Sequence, residues 1–266
     1  MLSKQQAWSS SAASTRPEPA QIAKKTICSD PSATLSLVVY PPNLRQPAHA
    51  HPEPSFAVLL CGSIAEETAS GETVIDRPSI GCKPPDLRHS TRFGDGATIL
   101  LSLTVRDDAL WRQLRVDEWQ WGSADVQAGE LLAAADRGLS SWADTMIDLL
   151  AAPKRSPAVP GSPPGWLCRV REELRDAPDT PLETLAARAG VHRVHLSRSF
   201  SRWFGEAPTV FRLRRRTELA LAGVLHHGRS PAAAAAEAGF ADQSHLARSV
   251  RRIAGTTVRG LSGGLH

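Results

Sequence analysis

Leu185-Ala186-Ala187-Arg188-Ala189-Gly190-Val191, followed by His195-Leu196-Ser197-Arg198-Ser199-Phe200, decides how this chain folds. The same pattern returns as Ala234-Ala235-Ala236-Glu237-Ala238-Gly239-Phe240, followed by Ser244-His245-Leu246-Ala247-Arg248-Ser249-Val250. Each copy is an alanine-rich helix, a glycine able to turn left-handed, and a second helix carrying arginine, the spelling of a helix-turn-helix. Two copies in one basic stretch point to a reader of double-stranded DNA. From residue 165 onward the chain holds sixteen arginines, no lysine and nine acidic residues, a positive excess of seven, whereas residues 1–164 carry a net −3. Such asymmetry fits a nucleic-acid-binding module joined to a part with another task.

Working outward, residues 166–175 read as a first helix with Leu167, Val170 and Leu174 on one face. The next helix is expected to start with Thr180 as N-cap, Pro181 at the first helical position and Glu183 closing a capping box. Residues 192–204 form the following helix, with Val191, Leu196, Phe200 and Phe204 turned inward. Its other face carries Arg193, Val194, Ser197, Arg198 and Arg202, side chains suited to guanine edges, to any base edge and to a thymine methyl. A long helix over 209–227 bears Arg212, Arg214, Arg215 and Arg216, expected to face solvent or phosphates. Ser230-Pro231 caps the next helix and Asp242 the one after, which exposes Gln243, Ser244, Ala247, Arg248 and Arg251.

The run 185–202, the Gly205…Pro208 turn, the arginine-rich middle helix and Ala238-Gly239-Phe240-Ala241-Asp242-Gln243-Ser244-His245-Leu246-Ala247-Arg248 resemble the AraC/XylS family of bacterial transcription regulators. The resemblance covers nearly all of 165–255. It implies two helix-turn-helix units joined by one rigid helix, with recognition helices entering the major groove about one turn (~34 Å) apart. By position it implies base contacts at Val194, Ser197 and Arg198 in the first unit, and at Gln243, Ser244, Ala247 and Arg248 in the second. The second unit departs from the family pattern at Ala234, where a large aliphatic is usual, at Val250, where Phe is usual, and at Val258, where Pro is usual. Large-to-small core changes cost on the order of 1–3 kcal/mol unless neighbours close in, so the second unit is expected to be the softer one.

Before residue 106 the pattern changes to short β-rich runs, at 34–40, 56–60, 73–75 and 97–105, separated by Pro, Gly and Asp; this suggests a small sandwich or barrel. Residues 107–114 turn helical. After Trp119 and Trp121 come helical segments at about 128–136 and 139–151, with an apolar stripe suited either to the domain's own sheet or to a dimerisation hairpin. Residues 152–165 hold five prolines in fourteen residues and mark a boundary. The only histidines before residue 165 are His49, His51 and His89. Pro47-Ala48-His49-Ala50-His51, Gly62 and Pro85…His89 resemble the cupin-like sensor domain found at the N-terminus of many AraC-type regulators. That resemblance implies a metal set of these three histidines plus a carboxylate, for which Glu53 lies near the right place. Three imidazoles suit Zn, Ni, Cu or Fe(II); a metal-free pocket is the alternative.

The expected architecture is a multi-domain α+β chain. Residues 1–30 are disordered and 31–151 form a cupin-like β-barrel with trailing helices. A Pro-rich linker spans 152–164, and 165–266 form an all-α DNA-binding domain with two helix-turn-helix motifs. The four scattered cysteines give no disulfide framework and suit a reducing cytoplasm. No apolar run serves as a signal peptide or reaches the roughly 18 residues of a membrane helix. Double-stranded DNA is the expected partner, with RNA polymerase, an unidentified small-molecule effector and a second copy of the chain as further ones, in a bacterial cytoplasm at the nucleoid. The function expected is an effector- or metal-responsive transcription regulator, not an enzyme. Alternatives are a constitutive regulator with a vestigial sensor, and a metal-dependent cupin enzyme fused to a DNA-binding module.

Overall fold

A computed structural model of the chain describes residues 22–113, 120–123 and 162–262. The expected helices at 128–136 and 139–151, Trp119 and most of the proline-rich linker lie outside the described residues. The N-terminal half consists of antiparallel strands β1 (Ala23–Ser29), β2 (Ala33–Tyr40), β3 (Arg45–His49), β4 (Ser55–Cys61), β5 (Ile64–Thr68), β6 (Gly71–Ile75), β7 (Ser79–Lys83), β8 (His89–Phe93), β9 (Thr98–Val105) and β10 (Gln120–Ser123), with α1 (Asp108–Gln113) after β9. They sort into a six-stranded sheet, β1-β2-β9-β4-β7-β10, and a four-stranded sheet, β3-β8-β5-β6. Leu59 and Leu100 from the larger sheet meet Ile64, Ile75 and Phe93 from the smaller one, so a core lies between the two.

The larger sheet is buried on its other face as well. Leu35, Leu37, Val39, Phe56, Val58, Leu60, Leu101 and Leu103 form one continuous apolar cluster with residues of the C-terminal helices. A sheet covered on both sides needs no polar alternation, and β2 and β9 accordingly read as near-continuous apolar runs. One boundary needs correction. Residues 22–30, expected to be disordered with the rest of the N-terminal segment, include β1, which pairs with β2 from Ala23↔Val39 to Ser29↔Thr34. Its Lys24, Lys25 and Thr26 are exposed, so the strand is held by backbone pairing at a sheet edge and carries little apolar signal of its own.

The C-terminal half holds α2 (Gly165–Asp176), α3 (Leu182–Arg188), α4 (Arg193–Phe204), α5 (Pro208–His226), α6 (Pro231–Glu237), α7 (Gln243–Ala254) and α8 (Val258–Ser262). Leu167, Val170 and Leu174 are buried against Leu185, Leu196, Phe200 and Phe211 in a cluster belonging to the first unit. Ser230 and Asp242 cap as expected, accepting from the N–H groups of Ala233 and His245. The capping box at Thr180 does not form. Pro181 itself is the N-cap of α3, without a side-chain cap, because the helix starts one residue later than expected. Glu183 instead pairs with Arg193 at 2.8 Å, tying α3 to the start of α4.

The expected softness of the second unit has no counterpart in its packing. Ala234 and Val250 are buried, at 2% and 0% exposure, in the same cluster as the sheet. A Cβ placed on Gly223 of α5 would lie 3.4 Å from that of Ala234. Helices α5 and α6 thus approach closely at Gly223 and Ala234. Both turns use left-handed glycines, Gly190 at φ 67° and Gly239 at φ 75°.

Candidate nucleic-acid interface and histidine cluster

Helices α4 and α7 each turn one apolar face inward and one polar face out. On α4, Leu196 and Phe200 are buried while Val194 is 42% exposed and Arg193, Arg198 and Arg202 lie in solvent, with Ser197 half-buried between them. On α7, Leu246 and Val250 are buried while Gln243, Ser244, Arg248 and Arg251 are exposed and Ala247 is half-buried. Every residue expected to meet bases therefore lies on an outward strip. Arg198, Arg202, Arg248 and Arg251 make no ion pair among the described residues. An unpaired guanidinium keeps its full donor fork for phosphate or guanine.

The arginines of α5 do the opposite, which corrects the expectation that they face solvent or phosphates. Arg214 pairs with Glu206 at 2.6 Å and Glu218 at 3.1 Å, and Arg215 with Glu218 at 3.2 Å and Asp95 at 2.5 Å, both side chains being nearly inaccessible. Burial alone would lower the pKa of Arg214, but Glu218 and Glu206 outweigh it and raise it further above the ordinary value. Arg212 donates to the Thr180 carbonyl and Arg216 pairs with Asp179. Arg214 and Arg215 thus form a buried ionic site at the middle of α5, while Arg212 and Arg216 tie the helix to residues 179–180. Glu218 also reaches the β-domain, accepting from Gly62 N–H at 3.1 Å, while its own carbonyl accepts from Ala97 N–H at 3.2 Å. Gly96 lets the helix come this near, since a Cβ there would meet Glu218 Cβ at 2.9 Å.

In the β-domain, pairing of β3 with β8 sets His49 directly opposite His89, and His51 follows two residues later. The ligating nitrogens of His49, His51 and His89 all lie within 4.8 Å of one another. Nδ1 of His49 lies 2.7 Å from the Pro47 carbonyl, and Nδ1 of His89 lies 3.0 Å from that of Leu87. Donation from both Nδ1 atoms leaves each Nε2 as a lone pair, the arrangement metal-binding imidazoles use. Burial, followed by the Lys83 ammonium, holds His89 below the ordinary imidazole pKa; burial, His49 and Lys83 do the same to His51. Such rings stay neutral at neutral pH, as ligation requires.

Glu53, expected to complete the set, is exposed and not part of the cluster. A buried carboxylate also lies near, that of Glu66, 1% exposed on β5, whose Oε1 lies 3.9 Å from His89 Nε2. Glu66 pairs with Lys83 and accepts from Trp121 Nε1 at 2.6 Å, and the indole fits because Gly81 beneath it has no Cβ. Lys83 Nζ in turn lies 3.2 Å from His89 Nε2. The three histidines can hold a divalent cation, which would compete with this ammonium for His89. Glu66 carried one signal in the sequence, its period-2 phase with inward Ile64. Lys83 carried none. The thiols of Cys61 and Cys82 are buried, and burial pushes the Cys82 pKa up to about 12, so neither is a reactive thiolate.

Residues 185–262 match the family model of a helix-turn-helix domain. No curated protein matches the chain. Among solved structures, similarity is found to the Schizosaccharomyces pombe Cnp3 cupin domain, at 14% identity and TM-score 0.31 over 36% of this chain and 69% of that one. A cupin superfamily protein from Desulfitobacterium hafniense is similar at 14% identity and TM-score 0.30, over 33% and 79%. A cupin domain from Bordetella pertussis gives 14% identity and TM-score 0.29, over 32% and 94%.

Proposed function

We propose that this chain, whose residues 185–262 match a helix-turn-helix family model, is a sequence-specific transcription regulator of the AraC type whose β-domain responds to a bound metal or small molecule. The observation that carries the proposal is the contrast between two sets of arginines. Arg198 and Arg202 on α4 and Arg248 and Arg251 on α7 make no ion pair among the described residues, whereas Arg214 and Arg215 of α5 are engaged by Glu206, Glu218 and Asp95. Val194, Ser197, Arg198 and Arg202 are assigned to one major-groove segment, and Gln243, Ser244, Ala247 and Arg248 to the next. RNA polymerase and a second copy of the chain are its proposed protein partners, in the bacterial cytoplasm. No described helix is long and apolar enough to cross a membrane.

His49, His51 and His89 are the proposed ligands of a divalent cation, which would supply a fixed positive charge where Lys83 now meets His89. Lys83 also favours a second reading, in which the ammonium replaces a metal permanently and the sensor pocket is vestigial or takes an organic ligand. Selection of duplexes from a random pool by the full chain tests the proposal. A recurrent two-part motif is expected, with Arg198→Ala and Arg248→Ala each relaxing one part. Recovery of unselected sequence would overturn it.

A further inference from the structure

Four carbonyls at the C-terminal end of a helix lack intrahelical partners and concentrate negative partial charge. On recognition helix α4 that end is Phe204, with Gly205 turning left-handed at φ 76°. The group that meets it comes from the β-domain. Arg77, in the turn between β6 and β7, donates through Nη1 to the Phe204 carbonyl at 3.3 Å. Its neighbour Asp76 pairs with Arg171 of α2, whose guanidinium lies 4.7 Å from the centre of the Phe204 ring. The turn is itself held: Ser79 Oγ donates to the Arg77 carbonyl at 2.9 Å, and Pro78 fixes the backbone between them. Two adjacent side chains of the β-domain thus grip the first and third helices of the first unit.

The second unit meets the β-domain differently, through the shared apolar cluster around Leu246, Val250 and Leu261. The Asp76–Arg77 grip falls on the first unit. It also lies away from the DNA-facing strip, where Val194, Arg198 and Arg202 remain exposed, so the turn steadies the helix without masking it.

We propose that the Asp76–Arg77 turn is a positioning element for base reading by α4, fixing the register of the first recognition helix from within the β-domain. This deepens, and rests on, the reading of the chain as a DNA-binding regulator. Loss of Arg77 frees the last turn of α4, where Arg202 sits, and relaxes the angle at which Arg198 approaches a base.

The test uses full-length Arg77→Ala, Arg77→Lys and Asp76→Asn on a duplex selected by the wild-type chain, with a mismatch scan across both half-sites. Arg77→Ala should weaken binding about two- to five-fold, the range of a cation at a helix C-terminus. The discrimination lost should fall in the half-site under α4 alone. Arg77→Lys should restore most of it, and Asp76→Asn should lose it in the same half-site. The salt dependence should keep its slope, because Arg77 neutralises no phosphate. In the free protein, amide exchange should accelerate over residues 201–205 while α7 is unchanged. Equal loss in both half-sites, a shallower salt slope, tighter binding, or unaltered affinity and exchange would each overturn the proposal. If the wild-type chain selected no duplex while exchange still localised to α4, the DNA reading would fall and the grip would stand only as a packing contact.

Discussion

Replacing Glu218 by Gln removes one charge from a crowded ionic site and leaves its shape almost unchanged. Glu218 is 5% exposed and is shared by Arg214, Arg215 and the Gly62 N–H, with oxygen–nitrogen distances of 3.1–3.2 Å. Removing one partner from a buried ion pair costs about 3–5 kcal/mol, because the remaining charge has lost both water and its counter-ion. Here two guanidiniums lose a share of the same carboxylate, but each keeps another. Arg214 retains Glu206 at 17% exposure, and Arg215 retains Asp95, which is 56% exposed and therefore well screened. The loss should fall near the lower end, about 3 kcal/mol. Urea unfolding of the full chain, followed by fluorescence and far-UV circular dichroism, measures it. Both probes should shift together, since α5 and the larger sheet share one core. Arg215→Met combined with Glu218→Gln should cost less than the two changes added. A loss below about 1 kcal/mol would refute the buried-site reasoning, since that is the scale of exposed pairs.

Arg198→Ala and Arg248→Ala should each cost about 1–3 kcal/mol of operator affinity at one base pair and leave unfolding unchanged, as read by mismatch titration and urea melts. Arg215→Ala should do the reverse, lowering stability with no change in the salt slope of binding by the folded protein. Gly239→Ala should destabilise by about 1–3 kcal/mol in a thermal melt, since its φ is 75° and the added Cβ would meet the Asp179 carboxylate at 2.3 Å. His89 has a folded pKa below its ordinary 6.5, so the unfolded chain binds protons more readily. Stability should hold above pH 6.5 and fall as pH drops below it, and His89→Gln should remove part of that slope. Purification with Zn, Ni, Cu or Fe(II) should load about one ion per chain, lost in His49→Ala/His51→Ala and strengthened in Lys83→Met; elemental analysis reads the outcome.

Where local chemistry decides the structure, the sequence was legible. Ser230-Pro231 and Asp242 announced two helix starts, the two glycines announced both turns, and the 3.6-residue apolar period placed Val194, Arg198, Gln243 and Arg248 on outward faces before any packing was known. Partners brought together by folding defeated the same reasoning, although Glu218, four residues beyond Arg214 and three beyond Arg215, stood on the same helix. Arg214 and Arg215 look like phosphate contacts until Glu206 and Asp95 arrive from elsewhere in the chain. The Thr180 capping box lost to an extended Pro181 and to the Glu183–Arg193 pair. Strand β1 needs β2 to exist, and its lysines conceal it. The histidine cluster was visible as three residues, but the pairing of Glu66 with Lys83 depends on β5 and β7 meeting in space. Ala234 suggested a hole because residue size was read without the helix separation that Gly223 permits.

Hydroxyl-radical footprinting of the full chain on a selected duplex tests most directly the claim that α4 and α7 read DNA together. Two protected patches on one face of the duplex are expected, about one helical turn (~34 Å) apart. Arg198→Ala should weaken protection at one patch and Arg248→Ala at the other. A single patch insensitive to one of these substitutions, or protection spread evenly along the duplex, would contradict it.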